Sequence, residues 1–290
     1  MLQTKREARK TVQAAKAKEK AMEKNLKQIA FERRTEVLDM IFQAKAGHLG
    51  GDMSCMDILV CLYYDVMDVN KLLSQSPDRD RFVLSKGHNA EALYTVLADK
   101  GFFAKDMLKS YAQLDTALAQ HPTPKIPGVE AATGSLGHGL SLGVGLAMGL
   151  QRDGNPAHVY VLMGDGEQAE GSVWEAAMAA GKYGLEQLTA IVDRNGLQIS
   201  GCTEQVMPLE GLREKYQAFG WHVVECDGHS SKELCAALRT RVFQKPVAVL
   251  AKTCKGYGSP VTAGQAIWHH KVPSLEEYEQ IRRDLTAQRA

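Results

Sequence analysis

Five short apolar runs recur along this chain with helix-length segments between them, and that alternation restricts the fold more than any other feature. Arg81-Phe82-Val83-Leu84, His158-Val159-Tyr160-Val161-Leu162-Met163 and residues 188–192, 221–225 and 247–251 read as strands, being short, apolar and rich in β-branched side chains. Helical patterns fill residues 57–66, 90–100, 172–183, 211–219 and 231–242, and Ser172 and Glu175 have the spacing of a capping box. Strands joined through helices run parallel, and helices then cover the sheet. The expectation is an α/β fold, a parallel sheet covered by helices on both faces.

Helical spacing from about Ile29 breaks at Ala46-Gly47-His48-Leu49-Gly50-Gly51, read as a glycine-rich loop carrying a histidine. Three prolines keep His121-Pro122-Thr123-Pro124-Lys125-Ile126-Pro127-Gly128 out of helix and central strand. The helix after Thr133-Gly134-Ser135-Leu136 is rich in small residues, which predicts close packing against backbone or ligand. With no repeat and no linker after Ile29, residues 29–290 read as one domain, preceded by a basic helical extension over 1–28.

Charge excludes some partners. The first 34 residues hold eleven Lys and Arg against four Glu, a surplus of seven in a chain of net +1, so the rest is net −6. Those basic residues alternate with Ala, Gln and Glu and no aromatic precedes Phe31, the pattern of a solvated helix rather than a nucleic-acid arm. No apolar run approaches the roughly 20 residues that span a bilayer, and the leading segment lacks the apolar stretch of a secretory signal. Six scattered cysteines without a C-x-x-C pair point to a reducing cytoplasm.

Ligands of a parallel sheet bind at the carboxyl ends of its strands. Asp165 and Asn195 each follow a predicted strand, and one crossover helix between those strands brings the two side chains to one edge. A carboxylate and an amide oxygen form a sparse set of hard donors that suits Mg²⁺, which keeps waters and phosphates in its shell. Gly164, Gly166 and Gly196 would admit a phosphate to the backbone amides. Taken alone, GDG reads first as a tight turn.

The strings GDGEQAEGSVWEA and IVDRNGLQISG resemble the thiamine diphosphate fingerprint, with 30 positions from Asp165 to Asn195. KAGHLGG, DRDRFVLSKGHNAEALY, His121-Pro122, TGSLGHGLSLGVGLAMG, GWHVVECDGH and KTCKGYGSP extend the resemblance to transketolases, in family order over most of the chain. The resemblance implies thiamine diphosphate with Mg²⁺ held by Asp165, Asn195 and the carbonyl of Leu197. It further implies that Gly166 and His88 bind the diphosphate and that Gly134 and Leu136 lie against the cofactor. Glu170 would join a hydrogen-bond path between paired active sites, and His48, His121 and His269 would surround the reacting sugar carbons. Histidine suits those proton transfers because its ordinary pKa lies near operating pH.

Departures touch the sugar rather than the metal. His138 stands where many transketolases carry Gln, Leu49 replaces a common proline, and a family histidine expected near 265–267 is absent. Full-length transketolases have three domains, and the resemblance covers only the diphosphate-binding one. It therefore implies the N-terminal subunit of a split transketolase, joined in an α₂β₂ assembly to a C-terminal subunit carrying the pyrimidine-binding domain. The activity implied is transfer of a two-carbon ketol unit from a ketose to an aldose, as free sugars or phosphates. Rival readings are a 1-deoxyxylulose-5-phosphate synthase, an E1-type α subunit of a 2-oxo acid dehydrogenase, and a non-catalytic scaffold retaining the fold.

Overall fold

The computed structural model describes the backbone of residues 2–288 and the side chains of residues 21–288. A long helix α1 (Leu2–Ala44) leads into α2 (Leu49–Cys61), which continues as a π-helical turn, Leu62–Val66, and then α3 (Val69–Leu73). Strand β1 (Arg81–Leu84) is followed by α4 (Ala90–Asp99), a long proline-bearing loop, and α5 (His138–Arg152). Next come β2 (Val159–Gly164), α6 (Gly171–Lys182) and β3 (Leu188–Arg194), then a small hairpin of β4 (Leu197–Gln198) and β5 (Gly201–Cys202). The chain closes with α7 (Thr203–Val206), α8 (Leu212–Ala218), β6 (His222–Asp227), α9 (Ser231–Leu238), β7 (Val247–Lys252) and α10 (Leu275–Ala287).

Five strands form one sheet in the order β1-β2-β3-β7-β6, every pair parallel. Side-chain alternation along each strand feeds two cores. Along β7, Val247, Val249 and Ala251 pack with α1, α2, α4 and α9, whereas Ala248 and Leu250 pack with α5, α6 and α8. Both faces are covered, as the strand–helix alternation predicts.

Three local expectations are corrected. The glycine-rich loop ends at His48, and Gly50 and Gly51 lie in the first turn of α2. They are small because a Cβ on Gly50 would come within 2.8 Å of the Trp268 carbonyl oxygen, and one on Gly51 within 2.6 Å of Asn89 Nδ2. The capping box at Ser172 does not form, since α6 starts a residue earlier with Glu170 as N-cap and no side-chain cap bond. In the small-residue helix, Gly143 meets the sheet, where a Cβ would lie 2.4 Å from Val161 Cγ2, but Gly145 and Gly149 face open space. Helix α1 runs unbroken through residues 28 and 29.

Candidate active site

β1, β2, β3 and β7 are neighbours in the sheet, so the segments leaving their carboxyl ends converge. β2 runs into Asp165-Gly166 and β3 into Asn195-Gly196, with Gly164 in register with Asp193. The two turns are tied together through one carboxylate: Gly166 N–H donates to Asp165 Oδ1 at 2.8 Å and Gly196 N–H to Oδ2 at 2.6 Å. Asn195 Oδ1 accepts Leu197 N–H at 3.1 Å, and the Leu197 carbonyl accepts from the Lys255 ammonium at 3.4 Å. Burial, then the nearby Asp193 carboxylate, pushes the Asp165 carboxyl up to about 6. A carboxylate so placed gains from a cation.

A cavity of about 390 Å³ lies over these turns. Asp165, Gly166, Asn195 and Leu197 line it from the β2 and β3 ends; Gly134, Leu136 and Glu170 line it from the turns before α5 and α6. His48, His88, His121 and His269 line it as well, so every residue expected to hold the metal, the cofactor or the sugar borders this cavity. A larger depression of about 950 Å³ shares Asn195, but Glu204, Glu225, Asp227 and Glu233 on its wall would repel a diphosphate.

The histidines form a cluster around His48. Its ring centroid lies 5.2 Å from that of His88, 6.2 Å from His121, 5.5 Å from His269 and 4.7 Å from His270. Burial, then the neighbouring histidines, brings His48 down to about 4. Burial, then the Lys255 ammonium, brings His269 down to about 3, and burial also lowers His88 and His121. Low dielectric and like-charge neighbours disfavour the charged form, so all four rings favour the neutral state at pH 7. His48 Nδ1 is buried without a hydrogen-bond partner among the described residues.

Several groups at the site escaped the sequence reading. Lys86 and Lys255 both line the cavity. Lys86 meets Asp193 at 2.5 Å, and that carboxylate outweighs the cost of burial and holds the ammonium above its ordinary range. Lys255 Nζ lies 3.0 Å from His269 Nδ1, and burial, then Lys86, brings it down to about 8. Glu167 accepts the Ser85 hydroxyl and the N–H groups of Gly137 at 2.8 Å and Gly164 at 3.0 Å, clamping the GDG turn to the start of α5. Lys86 and Glu167 sit inside SKGH and GDGE, so a buried charge beside a glycine turn was the available signal; Lys255 becomes visible only once the loop after β7 is folded over the cavity.

The donor set fits the expected cofactor. Asp165, Asn195 and the Leu197 carbonyl offer hard, acceptor-only oxygens with lone pairs left over, and two lysines supply positive charge for a diphosphate. Gly134 keeps the lining bare, since a Cβ there would lie 2.5 Å from the His121 ring.

The family model for the thiamine diphosphate-binding domain of transketolase matches residues 26–289. A protein of Phocaeicola vulgatus, named as one subunit of an apulose-4-phosphate transketolase, is 46% identical over 255 residues, covering 87% of this chain and 91% of its own. The 6-deoxy-6-sulfo-D-fructose transketolase subunit SqwG of a Clostridium species is 40% identical over 240 residues, covering 82% and 87%. Human transketolase is 38% identical over 264 residues, 91% of this chain but 42% of the human one. The solved transketolase of Leishmania mexicana superposes with a TM-score of 0.82 at 31% identity, over 90% of this chain and 41% of that one.

Proposed function

Because this chain belongs to the transketolase family through its thiamine diphosphate-binding domain, we propose that it is the N-terminal subunit of a split transketolase. In this reading it binds thiamine diphosphate with Mg²⁺ and, with a separate C-terminal subunit, transfers a two-carbon ketol unit from a ketose to an aldose. The observation that carries the reading is the single cavity at four adjacent strand ends, lined by oxygen donors, lysines and neutral histidines together.

Asp165, Asn195 and the Leu197 carbonyl would hold Mg²⁺, and Gly166 and His88 the diphosphate. Gly134 and Leu136 would lie against the cofactor, with Glu170 on a path toward a paired site. When bound, thiamine diphosphate supplies the carbanion stabilisation that side chains cannot. The protein's own work is orientation and proton handling. Lys255 donates to His269 Nδ1, so His269 holds its proton at Nε2 and is a hydrogen-bond donor there. Neutral His48 and His121 can accept a sugar hydroxyl proton without first losing one. Burial keeps water from competing for these contacts.

The relatives support a partner chain. The Phocaeicola and Clostridium proteins, each named as a subunit, are matched over 91% and 87% of their length, which supports a separate chain carrying the pyrimidine-binding domain. Leu142 and Met148 on α5 and Met178 on α6 stay exposed, and we assign them to contacts within an α₂β₂ assembly. The relatives' names pair one with a sugar phosphate and the other with a sulfonated sugar, so the donor assigned here is a ketose bearing such an anion. Free cysteines and the lack of any membrane-crossing helix among the described residues support a cytoplasmic site of action.

Calorimetry and a ketol-transfer assay on the purified pair of chains test the reading. Mg²⁺-dependent thiamine diphosphate binding together with ketose cleavage is expected; binding without any ketol transfer would favour a different thiamine enzyme or a scaffold.

A further inference from the structure

His229, the last residue of the DGH motif after β6, lines no part of the catalytic cavity, yet its ring touches the loop that carries Lys255. Its Nδ1 lies 2.7 Å from Asp57 Oδ2. Its Nε2 accepts the backbone N–H of Cys254 at 2.9 Å. Its ring stacks on Tyr257, with centroids 3.6 Å apart and planes at 11°. Cys254 and Tyr257 flank Lys255 and Gly256, so the imidazole grips this loop on either side of the ammonium-bearing residue. Gly228 adds a third tie, donating its N–H to the Lys252 carbonyl at 2.8 Å.

We propose that His229 is a positioning residue for Lys255, held by Asp57 in the one tautomer that can anchor the loop. Asp57 faces the Arg34 guanidinium at 2.5 Å, and Arg34 is itself wholly buried against the Met53 carbonyl. Burial favours a neutral Asp57, but Arg34 and the His229 hydrogen bond outweigh it and hold the carboxyl below its ordinary range. An ionised carboxylate only accepts. The imidazole proton must therefore sit on Nδ1, which leaves Nε2 bare for Cys254 N–H. The same logic orients histidines behind metal sites. His229 meets Asp57, Tyr257 and the Cys254 amide, and its own backbone N–H donates to Asp227 Oδ1 at 2.9 Å; Arg34 lies behind this set, paired with Asp57 and over the Tyr257 ring. The consequence reaches the cavity because Lys255 meets His269 and Leu197 only while this loop keeps its path.

The inference rests on the transketolase reading for its kinetic arm alone, and two substitutions of similar polarity separate its parts. His229→Gln carries a side-chain oxygen that can reach the Cys254 amide in place of Nε2; His229→Asn is one carbon shorter and reaches Asp57 only. Amide exchange at Cys254, followed in the full chain labelled with ¹⁵N-cysteine, should accelerate about tenfold or more in His229→Asn and stay near wild type in His229→Gln. In the two-chain enzyme, His229→Asn should lower kcat about tenfold and weaken thiamine diphosphate binding as well, because Lys255 faces both His269 and the diphosphate side of the cavity and small misplacements of a positioned group cost rate. His229→Asn in a Lys255→Met background should cost no further rate. Unchanged Cys254 exchange in both variants, or an equal rate loss with and without Lys255, would overturn the proposal. Absence of ketol transfer in the wild-type pair would instead overturn the functional reading and leave the exchange result to decide the anchoring.

Discussion

Lys86 and Asp193 form a buried ion pair at 2.5 Å at the base of the cavity, with side chains 2% and 0% exposed. Asp193 also accepts from Ser54 at 2.6 Å and from Thr253, so the end of β3 is bound to α2, to the β1 turn and to the end of β7. Removing one partner leaves a buried charge unpaired. Asp193→Ala should lower unfolding free energy by about 3–5 kcal/mol, and adding Lys86→Met should recover much of it. Urea melts of the three proteins check this; equal stability of single and double variants would contradict it.

Asp165→Ala should abolish Mg²⁺-assisted thiamine diphosphate binding while leaving the fold. The residue sits in a turn after β2, and its two accepted bonds come from Gly166 and Gly196 amides rather than from the core. Circular dichroism and calorimetry measure the two halves. Wild-type affinity with normal Mg²⁺ dependence would reduce GDG to a turn.

His48→Ala and His121→Ala should depress turnover or raise the donor KM, with cofactor affinity nearly unchanged. A tenfold rate loss corresponds to about 1.4 kcal/mol of lost transition-state stabilisation. Equal loss of cofactor binding in both variants would assign them to the cofactor instead.

His48 carries a pH signature. Its pKa falls from the ordinary 6.5 to about 4 in the folded chain, so the unfolded chain binds the extra proton between those values. Its contribution to stability is whole above pH 6.5 and is lost as pH falls toward 4. Other buried groups titrate in that window, so the measurement is a difference: the stability of His48→Gln relative to wild type should improve between pH 7.5 and pH 4.5. A constant gap across that range would mean His48 is not held neutral by burial.

The isolated chain should be catalytically silent and gain activity on mixing with a C-terminal transketolase subunit that carries the pyrimidine-binding domain. Purified chain, shown by mass spectrometry to be free of other polypeptides, is assayed with thiamine diphosphate and Mg²⁺. Robust turnover there would require a pyrimidine-activating group within these 290 residues.

Periodicity and turn chemistry are local properties, and the sequence carried them. All five main-sheet strands were legible as apolar runs: β2, β3 and β7 are buried almost along their whole length and leave no polar alternation to confuse them, whereas edge strand β6 was legible despite its exposed His222, Glu225 and Asp227. The oxygen donors and histidines were legible as glycine- or proline-flanked motifs. The small hairpin Leu197–Gln198 with Gly201–Cys202 was not, being two residues per strand with no apolar pattern. Gly50 and Gly51 were misread for a related reason: glycine marks a turn from the sequence alone, whereas here it marks the close approach of Trp268 and Asn89, far along the chain.

By itself, then, the sequence determined the layered parallel fold, the family motifs in their order and the residues proposed as donors. Tertiary structure decided the state of those residues. Only burial among other charged groups holds His48 and His269 well below their ordinary range, brings Lys255 down to about 8 and lifts Asp165 to about 6. Those shifts depend on dielectric and on distances of a few ångströms between residues far apart in the chain, and chain order does not encode such distances.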